Sequence, residues 1–298
     1  MKSGRSSSTA VSVALGTILA KYEAGTSHLV SDSAARWAHR IVDGLPLSER
    51  IAGRLLRHGW FRRFARRRES ATVPGIVAHY ALRKHAIERA VRKAIDAGCR
   101  QLVVIGAGYD SLGPRIAEEK IATVHELDWP ATQMVKRSVV EAAGVGVIFL
   151  PVDLEQHGVA AVLANSASFD RNLPTVFVLE GVLMYLPRSV ACQVMTECAG
   201  ATKRCVVVGT MMELSPEGKP AFRSCEEQVE KYLERRGEPF KFGVHPGDLC
   251  YMLESIGLKL TDTVEAEDLR ERYLKGAEVE SAAGEFVFVC ESLPNSSE

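Results

Sequence analysis

The chain has 298 residues, of which 46% are hydrophobic, 25% charged and 7% aromatic, as expected for a globular protein with a sizeable core. Its 37 basic and 37 acidic residues give a formal net charge of zero, so charge gives no reason to expect nucleic acid as a partner. Seven scattered cysteines without a Cys-x-x-Cys pair predict free thiols, no metal site and a reducing, cytoplasmic compartment. No apolar run approaches the roughly 20 residues of a membrane-spanning helix.

The N-terminal third of the chain is predicted to be helical. Its first apolar stretch, Ala10–Ala20, follows Lys2 and Arg5 as the core of a signal peptide would. Polar residues interrupt this stretch, however, and no clear cleavage site between small residues follows it. We therefore expect an amphipathic helix here and a protein that stays in the cytoplasm.

Two further helices are expected before the first strand. One is capped by Ser48 and carries an apolar stripe at nearly helical spacing, formed by Ile51, Leu55, Leu56, Trp60 and Phe64. The other covers His79–Ala97 and ends at Gly98. Residues 1–98 are thereby predicted to form a helical cap that belongs to the same domain as the rest of the chain.

Short apolar runs alternate with helical stretches from Gln101 onward. Near-continuous hydrophobicity indicates strands buried on both faces, as in a parallel sheet between two layers of helices. Five such runs are Leu102–Ile105, Thr123–Asp128, Val147–Val152, Thr175–Leu179 and Cys205–Val208, with crossover helices expected at Ala131–Ala143 and Ser189–Gly200. The sequence thus predicts an α/β fold with a doubly wound, mostly parallel sheet in residues 99–298.

The C-terminal part of the core departs from this alternation. A charged segment at about 213–242, with a helix expected over Cys225–Arg236, is predicted to be an insertion after the fifth strand. A helix at Pro246–Ile256 then leads to two closing strands, Leu258–Val264 and Glu285–Glu291, which bring the sheet to seven strands. The polar connection between those strands gives no clear pattern.

A glycine-rich loop, Gly106-Ala107-Gly108-Tyr109-Asp110, follows the first strand and precedes a helix. Such glycines allow a tight turn and a close approach of a ligand to the backbone. A dinucleotide would need its pyrophosphate at the helix N-terminus and usually a third glycine, but Asp110 and Ser111 stand there. S-adenosylmethionine carries no phosphate and has cationic sulfonium and ammonium groups. The acidic loop therefore favours S-adenosylmethionine over a dinucleotide.

Acidic residues end the next three strands as well. Asp128 lies about 20 residues after the loop, where a carboxylate accepts hydrogen bonds from ribose hydroxyls. Asp153, followed by Leu154, is placed to read an adenine edge, and Glu180 ends the fourth strand. Each acid alone could simply cap a helix. All of them lie at the carboxyl edge of the sheet, where ligands bind in this class of fold, so together they predict a cofactor site.

These motifs, in this order and spacing, resemble the leucine carboxyl methyltransferase family of class I methyltransferases, which have a Rossmann-like fold. The resemblance extends from about Thr9 to Val289. It is carried by Leu82-Arg83 with Ile87-Glu88, the glycine loop, Glu126-Leu127-Asp128-Trp129-Pro130, Val152-Asp153-Leu154, Glu180-Gly181-Val182-Leu183-Met184-Tyr185-Leu186 and Phe242-Gly243-Val244-His245-Pro246.

The resemblance implies a role for several residues in binding S-adenosylmethionine. Arg83 would hold the carboxylate of the cofactor, Gly106 would lie beside its methionine moiety, and Glu180 would lie near the methionine end. Asp128 would bind the ribose, while Asp153 and Leu154 would bind the adenine. Lys21 is implied as a second contact of the cofactor carboxylate.

The sequence also departs from the pattern of the family. Lys84 stands where the family usually has threonine, and Glu88 stands where it has aspartate. The usual Asp-Pro-Tyr-Ala is degraded to Asp32-Ser33-Ala34-Ala35. Because these changes lie in the helical cap, they concern the identity of the acceptor more than methyl transfer itself.

An arginine-rich segment in the cap has two interpretations. Its eight arginines are Arg50, Arg54, Arg57, Arg62, Arg63, Arg66, Arg67 and Arg68. They form either a solvated helix face or a surface that attracts an acidic acceptor, an anionic membrane or, least favoured, RNA.

The sequence therefore predicts a cytoplasmic S-adenosylmethionine-dependent O-methyltransferase. Its acceptor is expected to be a small molecule or a peptide, with a carboxylate slightly favoured over a hydroxyl because no Asp/His pair is evident. For a hydroxyl acceptor, Tyr185 and His245 are the candidate bases. The alternatives are a catalytically silent protein that binds cofactor or a partner, and a Rossmann oxidoreductase. The sequence does not indicate the oligomeric state.

Overall fold

The computed structural model describes residues 7–223, 229, 233–234, 237–274 and 279–293. Within that part of the chain, no helix combines the length and apolar character needed to cross a membrane. The expected helix at 225–236 lies largely outside the described residues.

A seven-stranded sheet forms the centre of the molecule. Its strands are β1 (Gln101–Ile105), β2 (Thr123–Asp128), β3 (Val147–Pro151), β4 (Thr175–Leu179), β5 (Cys205–Met212), β6 (Leu258–Val264) and β7 (Glu285–Ser292). They lie in the order β3-β2-β1-β4-β5-β7-β6. The first five pair in parallel, while β7 is antiparallel to both β5 and β6. The prediction of a doubly wound, mostly parallel α/β sheet is confirmed.

Five helices precede the sheet and six more are described after its first strand. The first group is α1 (Ser8–Tyr22), α2 (Asp32–Asp43), α3 (Leu47–Leu55), α4 (Gly59–Ser70) and α5 (Ile76–Asp96). The second is α6 (Leu112–Glu119), α7 (Pro130–Ala142), α8 (Val159–Ala164), α9 (Arg188–Ala201), α10 (Leu249–Glu254) and α11 (Ala266–Tyr273). Helix α11 lies in the polar connection between β6 and β7, for which no element was predicted, and a 3₁₀ turn (Pro246–Asp248) precedes α10.

Alternate residues of the central strands enter two separate cores. On one face, side chains such as Val104 and Val178 pack against α5 and α6. On the other face, Val103 and Phe177 pack against α8, α9 and α10. Each central strand is therefore buried on both sides, as its continuous hydrophobicity indicates. Helix α5 belongs to this packing, so the N-terminal helices are joined to the sheet through a shared core.

The single helix predicted from Ser48 to Phe64 is wrong. The structure has two helices, separated at Leu56–His58, and the first begins at Leu47 after Pro46, so Ser48 is not its cap. Only Leu56 of the apolar stripe is fully buried, whereas Ile51, Trp60 and Phe64 are exposed. Helical spacing of apolar residues indicates an amphipathic helix, but it does not show whether another part of the chain covers the apolar face.

Candidate active site

A cavity of about 520 Å³ opens at the carboxyl edge of the sheet. It lies where β1, β2 and β4 end, next to the point at which the strand order reverses between β1 and β4. Ligands bind at this position in open α/β sheets. The walls come from the loops after these strands, from α1 and α5, and from the segment after β5.

The glycine loop forms one wall of the cavity. Gly106 has a positive φ of 67°, which L side chains rarely adopt, and a Cβ there would lie 2.7 Å from Cγ2 of Val182. Both Gly106 and Gly108 line the cavity, as predicted for residues that a cofactor approaches closely. The amide of Gly108 donates a hydrogen bond to the carboxylate of Asp128, which fixes the loop to the end of β2.

Asp128 presents its carboxylate to the cavity from the end of β2. Its second oxygen accepts a hydrogen bond from the amide of Trp129 at 2.6 Å. Burial nevertheless raises the pKa of Asp128 to about 6, because the backbone donors compensate the lost hydration only in part. A buried carboxylate with remaining lone pairs is suited to bind neighbouring hydroxyl groups.

Asp153 and Leu154 line the cavity beyond Asp128. The Asp153 carboxylate accepts hydrogen bonds from the amide of Glu155 at 3.0 Å and from Nε2 of Gln156 at 2.8 Å. Both belong to the turn after β3. The structure thus brings together the three residues predicted for ribose and adenine.

Arg83 projects from α5 into a buried group of carboxylates. Its Nε donates to Oε1 of Glu180 at 3.0 Å, and its Nη1 donates to Oε2 of Glu285 at 2.7 Å. Burial alone would disfavour its charge, but Glu285 and Glu180 raise the pKa of Arg83 above its ordinary value. Burial of Glu285 would raise its pKa, but the charge of Arg83 outweighs this effect and lowers the pKa to about 2. Because a guanidinium carries five N–H donors, Arg83 retains donors for a further carboxylate.

Lys84 forms a second set of ion pairs in the same wall. Its Nζ contacts Asp110 and lies 3.0 Å from Oε1 of Glu180. Burial lowers the pKa of Lys84, but Asp110 and Glu180 outweigh this effect and raise it. Asp110 also accepts a hydrogen bond from the amide of Leu112. Lys84 thus neutralises part of the negative charge that the sequence assigns to the glycine loop.

A second region of the cavity is mainly apolar. It is lined by Val73, Ile76, Tyr80, Met184, Tyr185, Phe222, Leu233 and Phe240. The rings of Tyr185 and Phe240 have centroids 5.5 Å apart, and Phe222 lies 6.0 Å from Phe240. Burial raises the pKa of Tyr185 above its ordinary value. The candidate base Tyr185 is therefore placed beside this region as a neutral phenol.

Helix α1 is fastened over the cavity by Glu238. The carboxylate of Glu238 accepts hydrogen bonds from the amides of Ser8 and Thr9, at 3.3 and 3.2 Å, and from both hydroxyl groups. A carboxylate at a helix N-terminus is favourable because the first amides have no partner within the helix. This contact joins α1 to the segment after β5, and both of these line the cavity.

Two predicted site residues are placed elsewhere. Lys21 donates to the carbonyl oxygen of Val30 at 2.9 Å and pairs with Asp32 at 2.7 Å, so it does not line the cavity. His245 is exposed at the start of the turn Pro246–Asp248, also outside the cavity. Asp32, the acid of the degraded Asp-Pro-Tyr-Ala motif, thus binds Lys21 outside the cavity. Neither residue is positioned for the role that the sequence suggested.

A buried ion pair beneath the glycine loop was not predicted from the sequence. Lys136 on α7 lies 2.8 Å from Oε2 of Glu126, and both side chains are almost inaccessible to solvent. Burial raises the pKa of Glu126 to about 7 despite this partner. Lys136 also lies 3.5 Å from the carbonyl oxygen of Ala107, so the pair supports the loop from below. The helical spacing of α7 gives no signal for an inward-facing lysine.

Glu285 and Glu238 were also missed as parts of the site. Glu285 begins a strand whose other residues up to Cys290 are apolar, which is a visible but unspecific signal. Glu238 lies in the charged insertion, where nothing in the sequence distinguishes it from its neighbours. Their contacts join residues more than 200 positions apart, beyond the reach of local patterns.

The charges of the cavity fit a cationic cofactor. Seven carboxylates line it in the described part of the chain, those of Asp110, Asp128, Asp153, Glu155, Glu180, Glu238 and Glu285. The cations among the same residues are Arg83, Lys84 and Lys241. Such an excess of negative charge attracts sulfonium and ammonium groups and opposes the pyrophosphate of a dinucleotide.

Comparison with known sequences decides the family. Residues 10–199, well over half of the chain, match the family described as leucine carboxyl methyltransferase. The chain belongs to the leucine carboxyl methyltransferase family. This membership confirms the class I methyltransferase resemblance and S-adenosylmethionine as the cofactor. The prediction of a Rossmann oxidoreductase as an alternative is not supported.

Individual relatives agree with this family. A provisionally named S-adenosyl-L-methionine-dependent methyltransferase of Mycolicibacterium smegmatis is 38% identical over 100 residues, covering 32% of this chain and 33% of the relative. One from Mycobacterium tuberculosis is 32% identical over 117 residues, covering 38% of this chain and 37% of the relative. The aligned regions span about a third of these curated relatives.

A solved structure has a similar fold over most of the chain. The crystal structure of a provisionally assigned methyltransferase from Thermobifida fusca has a TM-score of 0.56 at 15% sequence identity. It covers 85% of this chain and 94% of its own. A likeness at this identity concerns the fold alone.

Proposed function

We propose that this protein is an S-adenosylmethionine-dependent O-methyltransferase that methylates a hydroxyl group of an apolar small molecule. The observation that carries the proposal is the continuity of one cavity between an acidic region at the strand ends and an apolar, aromatic region. A cationic cofactor suits the first region, and an apolar acceptor suits the second.

The residues of the acidic region would share the binding of the cofactor. Asp128 would accept hydrogen bonds from the ribose, Asp153 and Leu154 would contact the adenine, and Arg83 would hold the carboxylate with its remaining donors. Glu180, already paired with Arg83 and Lys84, would face the methionine end. When bound, S-adenosylmethionine supplies an electrophilic methyl group.

The charge of the cavity favours a hydroxyl acceptor over the carboxylate that the sequence slightly favoured. Each lining cation already has a carboxylate partner: Arg83 has Glu180 and Glu285, Lys84 has Asp110 and Glu180, and Lys241 has Glu155 at 2.7 Å. Because the remaining donors of Arg83 would bind the carboxylate of the cofactor, an acceptor carboxylate would have no unshared cation of the protein beside it, which is unfavourable. A neutral hydroxyl does not have this cost.

The protein would accelerate the transfer chiefly by holding the acceptor oxygen in line with the methyl group. The aromatic side chains around Phe240 would orient the acceptor, and α1 with Glu238 would limit the access of water. Tyr185 remains protonated at neutral pH, so it would position the acceptor by a hydrogen bond and would not act as the base. The proton that the hydroxyl loses on methylation would pass to a carboxylate of the cavity wall.

Transfer of a radiolabelled methyl group tests the proposal. The protein would be incubated with labelled S-adenosylmethionine and a cell extract, with Asp128→Asn as the control for cofactor-dependent transfer. We expect label in small, organic-soluble molecules that is stable to mild base, as for a methyl ether. Methanol released by base would instead indicate a carboxylate acceptor, and label in polypeptide would indicate a peptide. No transfer, together with tight binding of S-adenosylhomocysteine, would favour the catalytically silent alternative.

A further inference from the structure

Helix α4 has no fully buried residue, although one of its faces is firmly attached to the protein. Phe61 packs against the core around Leu56. Arg62 donates to the carbonyl oxygens of Leu56 and Arg57 at 3.1 and 2.8 Å, and Arg66 pairs with Glu23 at 2.7 Å. These contacts fix the orientation of the helix. They therefore also fix which side chains face solvent.

The outer face of α4 combines aromatic and basic side chains. Trp60, Arg63, Phe64 and Arg67 follow the spacing of one helical face, and all four are exposed. Trp60 is 62% and Phe64 52% accessible to solvent, which is high for such large rings. Neither Arg63 nor Arg67 has an ion-pair partner among the described residues, in contrast to Arg66, which pairs with Glu23. We call these four residues the outer face of α4.

Helix α3, which precedes α4 in the chain, also exposes apolar side chains. It exposes Leu47 and Ile51, one helical turn apart, with accessibilities of 59% and 46%. Single exposed apolar side chains need no partner, but two large exposed rings one turn apart on the same helix, Trp60 and Phe64, indicate a surface that is covered in function. The unpaired arginines indicate that the partner is anionic.

We propose that α4 docks this protein onto the surface of a membrane that contains anionic phospholipids. Trp60 and Phe64 would enter the boundary between headgroups and acyl chains, where aromatic rings are favoured, while Arg63 and Arg67 would bind lipid phosphates. Anionic lipids attract each nearby arginine independently of any defined pocket. A single-stranded nucleic acid fits less well: its bases could stack on the two rings, but it offers no apolar surface for the exposed aliphatic side chains of Leu47 and Ile51.

The position of α4 relates this surface to the cavity. The helix ends at Ser70, and Val73, three residues later, lines the apolar region of the cavity. A protein bound through α4 would thus hold the wall of its apolar region near the membrane, where apolar molecules accumulate. The cytoplasmic location predicted from the sequence would expose α4 to an anionic leaflet.

Vesicle flotation tests the docking surface. Vesicles of phosphatidylcholine mixed with phosphatidylglycerol would be compared with vesicles of phosphatidylcholine alone. We expect binding to the mixed vesicles that weakens with added salt. Arg63→Gln with Arg67→Gln should weaken binding roughly thirtyfold, from the attraction of two arginines to an anionic surface. Trp60→Ala with Phe64→Ala should weaken it roughly tenfold or more, because two rings lose their burial.

Matched controls come from α7, which also exposes an apolar and a basic side chain. Met134→Ala with Arg137→Gln removes a residue of each kind there and should leave vesicle binding unchanged. All variants should bind S-adenosylhomocysteine as the wild type does, since these residues do not line the cavity. Tryptophan fluorescence should shift to shorter wavelength with mixed vesicles, and this shift should be lost in Trp60→Ala with Phe64→Ala, which keeps the buried Trp37 and the cavity residue Trp129.

Two results would overturn the proposal. One is vesicle binding that the Trp60 and Phe64 substitutions leave unchanged. The other is the absence of vesicle binding together with binding of a short single-stranded RNA that requires Arg63 and Arg67, which would assign the outer face of α4 to nucleic acid.

Discussion

Replacing Asp128 by asparagine separates the cost of burying this carboxylate from its use in binding. Its pKa of about 6, against an ordinary value of 3.8, means that the ionised form is disfavoured in the folded protein by about 3 kcal/mol. Asparagine removes this penalty, but its amide group must face one of the two backbone donors that Asp128 accepts, from Gly108 and Trp129. A mismatched donor costs about 1–3 kcal/mol. The two effects offset each other, so the unfolding free energy at neutral pH should change little.

Binding should respond much more strongly than stability. Loss of a charged acceptor for the ribose hydroxyls should weaken the binding of S-adenosylhomocysteine by about 1.5–3 kcal/mol, or roughly ten- to 150-fold. Isothermal titration at about pH 8 measures this change, and chemical denaturation checks the stability. An unchanged dissociation constant in a folded Asp128→Asn protein would refute the assignment of Asp128 to the ribose.

The pH dependence provides an internal check. Because the folded pKa of Asp128 is raised, its contribution to stability is full below about pH 4 and is lost as the pH rises through about 6. This part of the pH dependence should be absent from Asp128→Asn, while the same trend that arises from Glu126 should remain in both proteins. Conversely, wild-type affinity for S-adenosylhomocysteine should fall as the pH drops below about 6, since a protonated Asp128 accepts less well.

Substitutions of Arg83, Lys136 and Glu238 test other contacts of the site. Arg83→Lys should weaken the binding of S-adenosylhomocysteine because one ammonium cannot reproduce the two parallel hydrogen bonds of a guanidinium. Arg83→Ala should in addition lower the free energy of unfolding by about 3–5 kcal/mol, since it leaves buried carboxylates without their partner. A dissociation constant of Arg83→Lys equal to that of the wild type in isothermal titration would contradict this role. Lys136→Met should destabilise the protein least in acid and increasingly as the pH rises through about 7, where the buried Glu126 ionises. Combining it with Glu126→Gln should restore part of the lost free energy of unfolding, as measured by chemical denaturation. Glu238→Ala should increase hydrogen exchange at residues 8–13, because the first amides of α1 lose their acceptor; exchange unchanged from wild type would show that α1 is held by its other contacts.

Much of the sheet could be predicted from the sequence because its strands are buried on both faces. Such strands are continuous apolar runs, and the predicted and observed bounds of Thr123–Asp128 and Thr175–Leu179 coincide. The N-terminal helices were harder to predict. The apolar spacing of Trp60 and Phe64 was correctly recognised as helical, but burial depends on the rest of the chain, which leaves them exposed.

The residues of the candidate site likewise include some that the sequence predicts and others that it does not. Asp128, Asp153 and Glu180 could be located because each follows a recognisable strand. Lys84 was noted only as a departure from the family, since its partners come from two other loops. The family resemblance places Lys21 in the site, but the local acid Asp32 binds it instead.

The position of β7 has a consequence for the order in which the protein can be assembled. This strand is the last in the sequence, yet it is inserted between β5 and β6 and carries Glu285 to Arg83. During synthesis, Arg83 on α5 leaves the ribosome about 200 residues before Glu285, one of the two carboxylates that bind it. A nascent chain therefore carries the guanidinium of Arg83 without one of its two carboxylate partners. Cofactor binding that relies on Arg83 held by both carboxylates therefore has to follow the pairing of β7 with β5.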